Sequence, residues 1–161
     1  MKINLLIDNP HGILSDAINV DPFADGKDSR IAHDLTNLNG ICFDGEASEI
    51  VCNGLLSYFG QNILPSILEN WLSKLQYGGR LIIVDIDIEE LSQKMLLGDI
   101  PLSAFNNMIF GEQKKPWDFK KSSQTLNELV AFFKSRGAKC LRRNYNDNGT
   151  FTLIVQRPEL Q

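Results

Sequence analysis

Leu75-Gln76-Tyr77-Gly78-Gly79-Arg80-Leu81-Ile82-Ile83-Val84-Asp85 is the stretch that decides the fold. From Leu81 to Val84 aliphatic residues follow one another without a polar alternation, and three of the four are β-branched. That pattern predicts a strand covered on both faces, the usual situation in a parallel sheet. Just upstream, residues 63–76 carry Ile67, Leu68, Trp71, Leu72 and Leu75 at helical spacing on one face. Pro65 is confined to the first turn of that helix, where its missing N–H costs little. Gly78-Gly79 is expected to end the helix and turn the chain into the strand. A helix feeding a doubly covered strand implies a crossover connection, and with it an α/β fold.

Working outward, short apolar runs predict further strands at residues 3–7, 17–20, 31–33 and 49–52; the second stops at Asp21-Pro22, where proline bars continuation. Helical patterns fall at 89–97, stopped by Gly98, and at 103–110, stopped by Gly111. A fourth helix is predicted over 124–136, capped by Ser123, with Leu126, Leu129, Val130 and Phe133 inward and Gly137 as its stop. The tail reads as two strands, 138–143 and 151–157, joined across Asp147-Asn148-Gly149, whose Asn-Gly favours a tight reversal. The expected architecture is a three-layer, Rossmann-like α/β sandwich, a mostly parallel sheet with a C-terminal antiparallel hairpin. No repeat or linker divides the chain, so residues 1–161 are read as one domain.

The bulk properties narrow the function classes. With 161 residues, 43% apolar and 22% charged, the chain has an ordinary globular composition. A formal net charge of -4 argues against nucleic acid as a partner. Cys42, Cys52 and Cys140 form no Cys-x-x-Cys pair and only two histidines accompany them, so neither a disulfide framework nor a metal site is expected; reduced thiols point to a cytoplasmic setting. No apolar run approaches the roughly 18 residues needed to span a bilayer, and no signal-peptide layout is present, so no membrane partner is expected.

Several short motifs stand in a telling order: Ile18-Asn19-Val20-Asp21, His33-Asp34-Leu35-Thr36, Leu75-x-x-Gly78-Gly79-Arg80-Leu81, Phe105-Asn106, Phe110-Gly111 and Asp118-Phe119. Over almost its whole length the chain resembles class I S-adenosylmethionine (SAM)-dependent methyltransferases, in particular small ones found beside sugar-transfer enzymes. The resemblance implies SAM as cofactor, lying across Asp8, Asn9, Asp21, Asp34 and Asn53. A small-molecule substrate would sit beneath a loop carrying Trp117 and Lys120. An acid at the end of the second strand can accept both ribose hydroxyls, the role implied for Asp21; the alternative is a turn residue before Pro22. Asp34 matches the position that meets the adenine edge, or is a loop cap. Methyl transfer can rest on proximity and alignment alone, so no catalytic residue is assigned.

The departures from that family fall at the polar positions. Where its first strand runs into Gly-x-Gly, this chain has Leu6 and Asp8 in Leu6-Ile7-Asp8-Asn9-Pro10-His11-Gly12. A leucine there fills cofactor space, and Asp8 faces the cofactor carboxylate with like charge, although it could bind the ammonium group. The family's Ser-His-x-x-Glu-His-Phe is matched by Asn53-Gly54-Leu55-Leu56-Ser57-Tyr58-Phe59, and Lys120 replaces a third histidine in Asp118-Phe119-Lys120-Lys121-Ser122-Ser123. Core positions persist while functional ones change, the pattern of a pseudoenzyme. Two readings follow: a SAM-dependent methyltransferase-like protein, or a non-catalytic Rossmann-like scaffold or interaction module that no longer binds SAM. A third is a cleft turned to another small ligand.

Other constellations have plain and functional readings side by side. His11 could act as a base near the first loop or be a surface histidine, and His33 could be packed or capped. No nucleophile elbow, Walker loop or dinucleotide Gly-x-Gly-x-x-Gly is present. Asp85, Asp87, Glu89 and Glu90 could face the cleft, or be acids favoured at a helix N-terminus. The run Lys114 to Lys121 could grip a ligand with its basic and aromatic residues, or form a lid of buried aromatics and solvated lysines. Leu102, Phe105, Met108, Ile109 and Phe110 could form a self-association face, so a homodimer is an expected partner state, or simply dock on the sheet.

Overall fold

Side chains alternate across a strand, so Leu81 and Ile83 point to one face of the sheet, and Ile82 and Val84 to the other. A computed structural model, describing residues 1–159, shows what each face meets. The strands are β1 (Lys2–Leu5), β2 (Ile18–Val20), β3 (Arg30–Ile31), β4 (Ala47–Asn53), β5 (Leu75–Ile86), β6 (Lys139–Tyr145) and β7 (Thr150–Gln156). They form one seven-stranded sheet in the order β3-β2-β1-β4-β5-β7-β6. β1 to β5 are parallel, and β7 runs antiparallel between β5 and β6. The mostly parallel α/β sheet with its terminal hairpin is therefore as the sequence predicts. The strand order reverses beside β1, the switch point where such sheets open a crevice at their carboxyl ends.

Among the described residues four helices accompany the sheet: α1 (Leu64–Lys74), α2 (Ile88–Leu96), α3 (Leu102–Phe110) and α4 (Leu126–Ser135). α1 and α4 turn Ile67, Leu68, Trp71, Leu129, Val130 and Phe133 onto the face that carries Ile3, Leu5, Ile50, Leu81, Ile83 and Leu153. Leu35 and Leu38, from the connection between β3 and β4, complete this core. Trp71 buries its ring there and donates its Nε1 proton to the Leu35 carbonyl at 2.8 Å, so its one polar atom is satisfied. The helical cover is unequal, however. Across the second face the connection from β1 to β2 contains only a 3₁₀ turn, Pro10–Gly12, and Val51, Ile82, Val84 and Ile154 are half-buried.

Two boundaries differ from expectation. The helix before the decisive strand stops at Lys74, and Gly78-Gly79 lies within β5 instead of ending the helix. Pairing with β4 jumps from Ala47–Leu75 to Glu49–Arg80, so the extra residues of β5 are extruded as a bulge. Gly78 has φ 75°, and a Cβ on Gly79 would come within 2.8 Å of the Gln76 carbonyl, so both positions require glycine. α4 is capped not by Ser123 but by Thr125, whose hydroxyl accepts the Glu128 amide at 3.2 Å. Gln124 is unavailable to the helix because it pairs with Asp87 in a bridge and its carbonyl takes the Ile88 amide at 2.9 Å.

All three cysteines are free, and burial pushes the Cys42 and Cys52 thiols up, away from reactivity. Among the described residues no helix is long and apolar enough to cross a membrane, and no group of three or more metal-ligating side chains occurs.

Candidate functional site

At the carboxyl end of β1 the chain must leave the sheet without a glycine-rich turn, and it does so by holding onto the next strand. Asp21, which follows β2, is fully buried. Its carboxylate accepts the amides of Asp8 at 2.9 Å, Asn9 at 3.1 Å and Phe23 at 2.9 Å, and the Arg30 guanidinium at 2.8 Å. Burial alone would push the Asp21 carboxyl up. The N–H groups of Phe23, Asp8 and Asn9, with Arg30, outweigh that and hold it below the ordinary carboxylate range. Arg30 in turn pairs with Asp28, which fixes the guanidinium from its other side. The acid expected to receive a ribose is thus spent on stapling the β1 loop to β2 and β3.

The rest of the loop is closed by packing. Leu6 is 6% exposed, and a Cβ on Gly12 would lie 2.7 Å from its Cδ2 and 2.6 Å from Asn9 Nδ2. The missing side chain at Gly12 admits Leu6 and Asn9. Asn4 and Asn19, adjacent in β1 and β2, hold the return limb: Asn4 Nδ2 donates to Asn19 Oδ1 and to the Gly12 carbonyl at 2.8 Å each, and Asn19 Oδ1 accepts the Leu14 amide at 2.9 Å. Two polar residues at matching places in otherwise apolar strands were the sequence signal for this pair.

Asp8 has a positive φ of 47° and meets the segment between α3 and α4. Its Oδ2 accepts Lys115 Nζ and, at 3.3 Å, Trp117 Nε1. The Trp117 ring rests 5.6 Å from the rings of both Phe23 and Tyr58. Asp8, Asp21 and Trp117 are therefore brought together. Asn9 is exposed and contributes its amide to Asp21. Asp34 is exposed and folds on its own loop, accepting the Thr36 amide at 2.8 Å and hydroxyl at 2.7 Å, an Asx turn. Asn53 ends β4, exposed, on the second face of the sheet.

Beneath the Trp117 segment Lys120, Tyr58, Asp118 and Asp85 form a polar cluster that joins three separate stretches of the sequence. Lys120 Nζ donates to the Met108 carbonyl at 2.8 Å and lies 5.6 Å over the Tyr58 ring; burial holds its pKa below that of a surface lysine. Tyr58 donates its hydroxyl to Asp118 at 2.8 Å, and burial and that carboxylate push its pKa up. Asp85 is buried under them, its pKa raised by burial, and accepts the amides of Leu56 at 2.9 Å and Ile86 at 2.8 Å. Asp87 is equally internal but structural. It accepts the Glu89 and Glu90 amides at the start of α2 and the Leu126 amide at the start of α4. Within the acidic run, Asp87 is thus the joint between α2 and α4. His11 is exposed, and His33 bonds the Asn37 carbonyl at 2.9 Å.

What remains open at this edge is a cavity of about 340 Å³ lined by Ile7, Phe23, Thr36, Tyr58, Trp117 and Phe119 among others. It is largely apolar and aromatic, with Thr36, Tyr58, Trp117 and Lys121 supplying polar atoms. Such walls suit a flat ring better than a charged chain. Beside this cavity the Asp21 carboxylate already accepts four internal donors, the Asp8 and Asn9 amides are donated to it, and Asp8 is engaged by Lys115 and Trp117.

No protein-family model matches the chain, and no curated protein matches it. Solved structures do. A SAM-dependent methyltransferase from Methanosarcina mazei superposes with a TM-score of 0.60 at 14% identity, covering 99% of this chain and 93% of that one. The 1,6-didemethyltoxoflavin-N1-methyltransferase of Burkholderia thailandensis, with bound S-adenosylhomocysteine, gives 0.64 at 10% identity, covering 98% and 71%. An O-methyltransferase family protein from the same organism gives 0.63 at 14% identity over 99% of this chain but only 52% of its own length, so the chain spans about half of that relative. These likenesses establish the class I methyltransferase fold. At such identities they establish nothing finer.

Proposed function

We propose that this chain, as one module over residues 1–161, is a methyltransferase-fold protein that no longer binds SAM and serves as a non-catalytic module. The observation that carries this reading is Asp21. A carboxylate with zero exposure and four internal donors has no capacity left for ribose hydroxyls. Leu6 packed against Gly12, and Asp8 tied to the Trp117 segment, support the same conclusion at the methionine end. Calorimetric titration with SAM and with S-adenosylhomocysteine tests it. Neither heat nor a thermal shift is expected at millimolar ligand, and micromolar binding of either would overturn the reading.

A second reading rests on the aromatic cavity, which supports a small planar ligand wedged among Phe23, Tyr58 and Trp117. Trp117 is half-buried at its mouth, so an occupant would change its fluorescence, whereas Trp71 is sealed in the core. Saturable quenching by a nucleobase or other flat heterocycle, lost in Trp117→Phe, is the expected result. A flat response across such a panel removes this reading.

A further inference from the structure

Leu81 to Val84 is apolar on both faces of β5, yet α1 and α4 lie against only one. Parallel sheets are ordinarily covered on both sides. On the second face Val51, Ile82 and Ile154 stand in register across β4, β5 and β7, with Val84 one step along, and all four are half-buried. The same face carries Arg80, Lys139 and Arg142 at its rim, all exposed. Glu49 beside them is already paired with Lys2 and Arg80. The surface is an apolar floor with a basic edge.

A second apolar surface of the molecule lacks a partner too. α3 is rich in Leu, Phe, Met and Ile, contains no charged residue, and buries none of its side chains. Leu96 and Leu97, at the end of α2, are 81% and 76% exposed, and Leu102 and Phe110 of α3 are 63% and 53% exposed. α2 and the turn after it carry Glu89, Glu90 and Asp99 against one lysine, Lys94. This surface is apolar, and the segment that forms it is net acidic. Among the described residues nothing covers either patch, and exposed apolar surface of this kind marks an interaction site.

We propose that the two surfaces are halves of one interface: a second copy of this chain lays its α2–α3 segment over the open sheet face, and in a closed twofold dimer receives the same contact in return. The occupant is another copy because each surface supplies what the other lacks, apolar area against apolar area and acids against Lys139 and Arg142. Helices over an apolar sheet face repeat the packing by which α1 and α4 cover the opposite side. A reciprocal contact closes on itself and avoids the open chains of a head-to-tail one. The inference does not depend on whether SAM binds.

Sedimentation velocity over about 1 to 100 µM tests it, the range in which a specific dimer of ordinary affinity assembles. The wild-type chain is expected to dimerise with rising concentration. Leu97→Asp and, separately, Ile82→Lys should each weaken the dimer at least tenfold while circular dichroism stays native, since Leu97 is exposed and Ile82 only half-buried. Should Ile82→Lys fail to fold, Leu97→Asp with Leu96→Asp carries the test alone. Mixing the Leu97→Asp chain with the Ile82→Lys chain should restore association, because one of the two reciprocal contacts is then intact. A monomer at every concentration, a dimer that neither surface's substitution weakens, or mixing without recovery overturns the proposal.

Discussion

Asp21 concentrates four internal hydrogen bonds on one buried carboxylate. Its position after β2 is where a nucleoside-binding acid would stand, but four internal donors turn it into a staple between β1, β2 and β3. Asp21→Asn keeps the shape and removes the charge, so the charge-assisted bonds are lost and stability should fall by about 2–3 kcal/mol at neutral pH. The pH dependence has a definite sign. A carboxyl held below its unfolded value contributes stability above about pH 4, and that contribution disappears as the pH drops through the lowered folded value. Chemical denaturation at pH 7 and pH 3 should therefore show a smaller acid loss in Asp21→Asn than in the wild-type chain. An unchanged difference would mean that the carboxylate does not bear the load assigned to it.

Among the elements, the joint at Asp87 ties the two halves of the C-terminal region together. One carboxylate caps α2 through Glu89 and Glu90 and also receives the Leu126 amide, so two helices that are distant in sequence start from one point. Thr125→Ala removes only the hydroxyl cap of α4 and should cost about 1 kcal/mol. Asp87→Ala leaves three amides without their acceptor and should cost about 2–4 kcal/mol, from the loss of two caps at once. Equal midpoints for the two variants in urea would show that Asp87 serves one helix only. From the sequence, Asp87 read as one of four acids favoured by a helix dipole. That it reaches α4 depends on a long-range approach that local pattern does not contain.

At the scale of the whole molecule the sheet is sealed on one side and open on the other. Ile83 lies in the sealed core and Ile82, its neighbour, on the open face. Ile83→Ala should cost about 3–4 kcal/mol, the loss of buried methyl groups plus a cavity. Ile82→Ala should cost about 1–2 kcal/mol when measured below the concentration of self-association, because part of that side chain stays wet in both states. Comparable losses at high dilution would mean that a single chain covers both faces. The sequence by itself determined the α/β class, the four helices, the strands and the terminal hairpin, because periodicity and turn residues such as Asn148-Gly149 act over a few neighbours. It also marked Leu6 and Asp8 as departures from the glycine-rich loop of the family the sequence resembles. The tertiary structure alone decided what became of that loop. Asp21 is consumed by amides 12 and 13 residues away, Asp8 is engaged by Lys115 and Trp117 more than a hundred residues on, and the second face is left without a helix. Each of these outcomes depends on which distant groups arrive to satisfy a buried polar atom or cover an apolar one, and that is settled only when the sheet has assembled.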